Sequence, residues 1–307
     1  MAIMPQRTSD HGTARKTPAA PVYMTTPIKR RRRSKTEIND ICEAIYDVVS
    51  VEYPMTVRQV FYQLVTRGVI VKSENEYKST VCRLLLTMRR DGRLPYDWIS
   101  DNTRWMRKPR SHNSMEAALE DTARTYRRSL WKEQPAYVEV WLEKDALAGV
   151  LLEATEPWDV PLMVTRGFSS ETYLYEAAQA IREQGKPAYL YFFGDHDPSG
   201  VAIIRAAETR LRAFAPEVDI HVERIAVTPE QIVMLNLPTR PTKTTDSRSR
   251  DFIGESVEVD AIPPSLLRTF ARDCIERHID KNLLARSQAI EERERAILRD
   301  IADRWAA

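Results

Sequence analysis

The feature that most restricts the fold is an alternation of short apolar runs and helical stretches between Tyr137 and Val227. Tyr137 to Leu142 has β-like composition and is followed by a helical stretch, Ala146 to Ala154. Leu162 to Thr165 reads as a second strand and is followed by a helix from Ser170 to Glu183. Ala188 to Phe193 is a third strand, Val201 to Phe214 a helix and His221 to Val227 a fourth strand. Strands and helices in this order predict an α/β fold whose parallel sheet carries helices on both faces. Ligands of such sheets lie at the carboxyl ends of the strands. Glu143 and the loop Gly194-Asp195-His196-Asp197-Pro198-Ser199-Gly200 follow directly on two such ends.

The segment before this alternation has a different character. Residues 1 to 35 hold nine Lys or Arg and one acid, a charge of +8. With a whole-chain charge of +2, the rest carries −6. That excludes a uniformly basic DNA-coating protein and leaves a basic, disordered arm on a mildly acidic body. The arm fits counterion-releasing contact with phosphates, or equally a solvated tail. From residue 36, Ile38, Ile41, Ile45, Val48 and Val49 recur at helical spacing, with Thr36 as a cap. A second helix runs from Val57 to Thr66 behind Thr56, and a third from Tyr77 to Arg90. Leu94 to Ile99 then reads as a strand or wing, so residues 36–110 form a winged helix-turn-helix. Its third helix offers Lys78, Arg83, Arg89 and Arg90, and Arg104 follows the wing, as contacts for duplex DNA. Winged helices also dock proteins. Residues 111–135 make a connecting helix, 136–263 the α/β unit and 264–307 charged C-terminal helices. No apolar run approaches the ~20 residues that span a bilayer, and no secretory leader is visible, so a cytoplasmic, nucleoid-associated protein is expected. Cys42, Cys82 and Cys274 have neither disulfide-framework nor zinc spacing.

Asp195 and Asp197 are two apart, so an extended backbone projects them to one side. Two adjacent carboxylates repel unless a cation joins them, and so few hard oxygen donors suit a Mg²⁺ that keeps several waters. Glu143 is placed as a third ligand or as a general acid at a leaving oxygen. A strand-end Asp-x-Asp on its own is more often a solvated turn with a helix cap; the Glu143 strand end upstream favours metal. Alternation turns His196 away from the pair, towards a packing or solvent role. Arg240 and Lys243 lie in a polar loop, Leu237 to Asp251, that either lines a channel or is a mobile surface loop.

These residues carry a resemblance. Trp141-Leu142-Glu143-Lys144-Asp145-Ala146-Leu147 is similar to the first Toprim motif of the type IIB topoisomerase (topoisomerase VI) A subunit and the related meiotic double-strand-break transesterase. Gly194 to Gly200 resembles their DxDPxG motif. Thr165 to Phe168 sits where that family has a Gly-Lys-Gly-Tyr-like turn, and Val257 to Ile262 resembles its Glu-Ile-Glu-Ala-Leu segment. The family also places a winged helix before its Toprim domain, so the resemblance spans about residues 36 to 280. It implies Mg²⁺ on Glu143, Asp195 and Asp197, and a nucleophilic tyrosine that carries over to Tyr62 of Arg58-Gln59-Val60-Phe61-Tyr62. Arg58, one turn earlier on the same helix face, would hold the scissile phosphate and stabilise the phenolate. His196, Ser199 and Gln59 depart from the family's residues. The expected activity is Mg²⁺-dependent cleavage of duplex DNA by a homodimer through a 5′-phosphotyrosyl link, Tyr62 of one subunit facing the ion of the other. No Gly-rich nucleotide motif is present, so a topoisomerase cycle would need an ATPase partner subunit. The rivals are a hydrolytic Toprim nuclease in which Tyr62 is a core aromatic, and a non-catalytic winged-helix DNA binder.

Overall fold

A computed structural model describes residues 33–100, 109–241, 252 and 254–306. Most of the basic arm, Arg104, Lys243 and most of the loop from Leu237 to Asp251 lie outside the described residues.

Helix α1 (Lys35–Glu52) begins at Ser34, not Thr36: the Ser34 hydroxyl accepts from Glu37 N at 3.1 Å, and the Glu37 carboxylate accepts from Ser34 N at 2.6 Å. This reciprocal cap fixes the entry and leaves Ile41, Ile45, Val48 and Val49 on the buried face. Helix α2 (Val57–Thr66) is capped the same way by Thr56 with Gln59. The third helical segment starts as a π-helical stretch, Glu76–Cys82, and tightens into α3 (Arg83–Arg90). The strand expected over Leu94 to Ile99 does not form. Pro95 has no N–H to give a ladder, Tyr96–Trp98 makes a 3₁₀ turn, and Ile99 contributes one isolated bridge to Met55. Among the described residues this unit therefore has three helices and no hairpin wing.

Helix α4 (Met115–Thr125) leads into the α/β unit and packs along the C-terminal helix described below. The strands and helices that follow are β1 (Tyr137–Leu142), α5 (Ala148–Thr155), β2 (Leu162–Val164), α6 (Glu171–Gln184), β3 (Ala188–Phe193), α7 (Pro198–Phe214), β4 (Ile220–Ala226) and α8 (Pro229–Met234). Helices α9 (Pro264–Glu276) and α10 (Lys281–Ala306) complete the chain. The sheet order is β2-β1-β3-β4 and every pairing is parallel. The expected α/β fold with helices on both faces is thus observed, and all four strands fall within a residue or two of where their composition put them.

Side chains alternate across the sheet. Val138, Val140, Leu142, Tyr191 and Phe193 pack against α5 and α9. Tyr137, Trp141, Leu190 and Phe192 pack against α6 and α7. Because both faces are covered, β1 is buried along its whole length, Glu139 included. The first of these cores continues without interruption into Ile45, Phe61, Tyr62 and Leu85 of the N-terminal helices.

The strand order sets the location of the site. From β1 the chain crosses by α5 on one face to β2; from β3 it crosses by α7 on the other face to β4. The loops leaving β1 and β3 therefore diverge, and a crevice opens between their carboxyl ends.

Candidate functional site at the carboxyl ends of the first and third strands

Leu142 is in register with Phe193, so Glu143 and Gly194-Asp195 leave the sheet side by side. Glu143 N donates to Phe193 O at 2.9 Å, and Glu143 Oε2 accepts from Asp195 N at 2.9 Å. Two glycines make that approach feasible. A Cβ at Gly194 would lie 2.6 Å from Glu143 Oε2, and one at Gly200 would collide with the Asp195 carbonyl oxygen. Asp197 is the N-cap of α7, its Oδ1 accepting from Gly200 N at 2.8 Å, which leaves Oδ2 facing the Arg240 guanidinium at 3.6 Å. The helix-cap role foreseen for an isolated Asp-x-Asp is thus filled by Asp197, and only by it.

Asp195 sits deeper. Its Oδ1 accepts from Val259 N at 2.9 Å and pairs with Lys144 Nζ at 2.9 Å. Lys144 also meets Asp260 at 2.8 Å and Glu258 at 3.3 Å, so one ammonium serves three carboxylates. Burial opposes its charge, yet Asp260, Asp195 and Glu258 together hold it well above the ordinary lysine value. Shared three ways, it does not fully compensate each partner: burial keeps Asp195 raised despite Lys144 and the Val259 N–H. Burial, with Asp195 beside it, also raises Glu143. Glu258 goes the other way, since Lys144, Arg58 and Arg240 outweigh its burial.

The N-terminal unit closes over this cluster. Thr56 Oγ1 donates to Asp260 at 3.2 Å, and Arg58 Nη1 donates to both oxygens of Glu258 at 3.2 and 3.0 Å. Between unit and sheet lies a cleft of about 830 Å³ whose charged lining includes Arg58, Arg89, Glu143, Lys144, Arg166 and Asp195. Of the DNA contacts expected on the third helix, Arg89 alone lines this cleft, its guanidinium 5.6 Å from the Tyr96 ring centre. Arg83 lines a separate groove with Arg33 and Lys35, Lys78 pairs with Glu74 at 3.2 Å, and Arg90 is exposed.

Tyr62 is near the cluster but covered. It is 2% exposed, its ring lies 5.4 Å from Lys72 Nζ, and it does not line the cleft. Burial, then Glu258, pushes its phenol well above the ordinary tyrosine value, with Arg58 and Lys144 pulling the other way. The tyrosine that does line the cleft is Tyr77, with the Arg58 guanidinium 4.6 Å from its ring centre. His196 is buried, its ring 4.9 Å from Phe252 and its backbone paired with Val257, a packing role as alternation implied.

By donor chemistry Glu143, Asp195 and Asp197 suit a hard divalent cation that keeps its own waters. One oxygen of each is engaged internally, Glu143 Oε2, Asp195 Oδ1 and Asp197 Oδ1, and among the described residues no three Asp, Glu, His or Cys side chains are gathered around one point as a ready ligand set. Sequence reasoning missed Lys144, Glu258 and Asp260 as members of the cluster. All three stand inside quoted motifs, and the spacing of Glu258 and Asp260 repeats that of Asp195 and Asp197, which was the available signal. No helix among the described residues is long and apolar enough to cross a membrane. Compared with known proteins, the chain matches no family model and no curated sequence.

Proposed function

We propose that this chain is a Mg²⁺-dependent enzyme that cleaves duplex DNA, built as a Toprim domain behind a winged-helix-like reader. The observation that carries the reading is the convergence of Glu143 and Asp195, from adjacent parallel strand ends, in a cleft also lined by Arg58, Arg89 and Arg166. Carboxylates for a cation and guanidiniums for phosphate, facing one space, are what phosphodiester chemistry requires. Asp195 and Asp197 would hold the ion, with Glu143 as third ligand or, protonated, as donor to the leaving oxygen. Bound there, the ion would polarise the phosphate and supply a hydroxide-like water. Arg58 and Arg166 orient the phosphate and offset charge that grows on its oxygens in the transition state.

The burial of Tyr62 favours water as the attacking group. Water then adds to phosphorus and loses its proton to solvent, the bond to the leaving oxygen breaks, and that oxygen takes its proton from Glu143 or, where Glu143 is ionised, from solvent. The second reading is transesterification by Tyr62 across a homodimer, favoured by the resemblance and by the closeness of Arg58 and Glu258. It requires α2 to withdraw from the cleft before the phenol can meet a phosphate.

Supercoiled DNA incubated with protein and Mg²⁺, then denatured with and without protease, separates the two. Hydrolysis predicts nicked or linear DNA free of protein, undiminished in Tyr62→Phe. Protease-sensitive DNA–protein adducts that vanish in Tyr62→Phe would overturn it in favour of the tyrosine.

A further inference from the structure

We propose that Lys144 is a built-in counter-ion that keeps the carboxylate cluster closed until a divalent cation displaces its ammonium from Asp195. The inference rests on the reading of Asp195 as a metal ligand and says how that ligand is guarded.

The geometry makes Lys144 a competitor and not a spectator. Its Nζ is 2.9 Å from Asp195 Oδ1, so it already neutralises the carboxylate that a cation would bind. A divalent ion and an ammonium sharing one buried carboxylate repel, because screening by water is reduced there. Moving the ammonium off Asp195 relieves that repulsion. Lys144 can make that move without becoming a stranded buried charge, because Asp260 at 2.8 Å and Glu258 at 3.3 Å still receive it. The ammonium pivots from three carboxylates to two. Those two carboxylates also receive Thr56 and Arg58 of the N-terminal unit, so the displaced charge remains within the contact that fastens α2 over the cleft. Arg240, between Asp197 Oδ2 at 3.6 Å and Glu258 Oε1 at 3.3 Å, stands in the same relation to the second aspartate.

A positioning role for Lys144 makes the opposite prediction. If the ammonium serves to orient Asp195 for the ion, its removal weakens binding. If it competes, removal strengthens binding.

The test uses the full-length chain and Mn²⁺ as the probe, with free ion measured by electron paramagnetic resonance. Lys144→Met, which keeps the apolar stem without the charge, is expected to bind Mn²⁺ at least about tenfold more tightly than the unaltered protein. Lys144→Arg, which keeps the charge, is expected to stay within a few-fold of it. Lys144→Gln, a second neutral replacement, is expected to tighten Mn²⁺ binding in the same direction. Equal or weaker Mn²⁺ binding by both neutral variants overturns the counter-ion role while leaving the metal site standing. Failure of every form to bind Mn²⁺ overturns both this inference and the metal reading beneath it.

Discussion

Glu139 allows a quantitative test of how the sheet is built. It is 1% exposed, in the middle of β1, with Tyr137 Oη donating to Oε1 at 2.9 Å and Trp141 Nε1 donating to Oε2 at 2.7 Å. Burial outweighs those two donors and pushes its carboxyl up from 4.5 to about 7. The folded protein therefore holds a proton that the unfolded chain has released between pH 4.5 and about 7. More protons bound in the folded state means that stability falls as pH rises through this window, and falls no further above it. At ~1.4 kcal/mol per unit, the loss reaches about 2 kcal/mol by pH 6 and about 3 kcal/mol above pH 7.5. Glu139→Gln should abolish the effect with little disturbance. Its amide oxygen can accept from Trp141, and its NH₂ can donate to the Tyr137 hydroxyl, which accepts as readily as it donates. Urea unfolding of both proteins from pH 4.5 to 8 is the assay. The variant should gain on the parent steadily to about pH 7 and then hold a constant lead of ~3 kcal/mol. A stability difference that does not change with pH would refute the assignment of a proton to this carboxyl.

Two other substitutions probe the site's framework. Gly200→Ala sets a helix-propensity gain of about 1 kcal/mol against a collision with the Asp195 backbone oxygen. Backbone cannot step aside as a side chain can, so a net loss of about 1–3 kcal/mol is expected, and an unchanged melting temperature would contradict that contact. Asp260→Ala strips Lys144 and Thr56 of a partner that is 1% exposed. Because Lys144 retains two carboxylates, the loss should fall near ~3 kcal/mol, the low end for a broken buried pair; denaturant midpoints within error of the parent would deny that this contact ties the N-terminal unit to the sheet.

Much of this architecture was legible in the sequence, for identifiable reasons. Parallel strands buried on both faces are near-continuous apolar runs, so Ala188–Phe193 and, apart from Glu139, Tyr137–Leu142 announced themselves, and the acids that follow them fell at strand ends. Thr56 was placed directly before the second helix, but its reciprocal cap with Gln59, though local, went unread. Ser34 was missed because Thr36, two residues on, offers the same hydroxyl. The wing failed on Pro95, whose missing N–H outweighed the apolar run around it. The contacts that close the site were not legible at all. Thr56 with Asp260 and Arg58 with Glu258 join residues about two hundred apart, and nothing local to either end signals the other. The burial of Tyr62 is what the core-aromatic reading of Phe61 and Tyr62 expected; motif register pointed the other way because the cover over the phenol is tertiary.

The central claim is that Asp195 and Asp197 carry a cation that cleaves DNA, and one comparison tests it most directly. The parent protein and the doubly substituted Asp195→Ala, Asp197→Ala form, both verified as folded by thermal unfolding, are incubated with supercoiled plasmid and Mg²⁺, with a chelator control. The account predicts nicked and linear products from the parent, none with chelator, and at least a hundredfold loss in the double variant (~3 kcal/mol of transition-state stabilisation). Cleavage by the double variant at the parent's rate would contradict it.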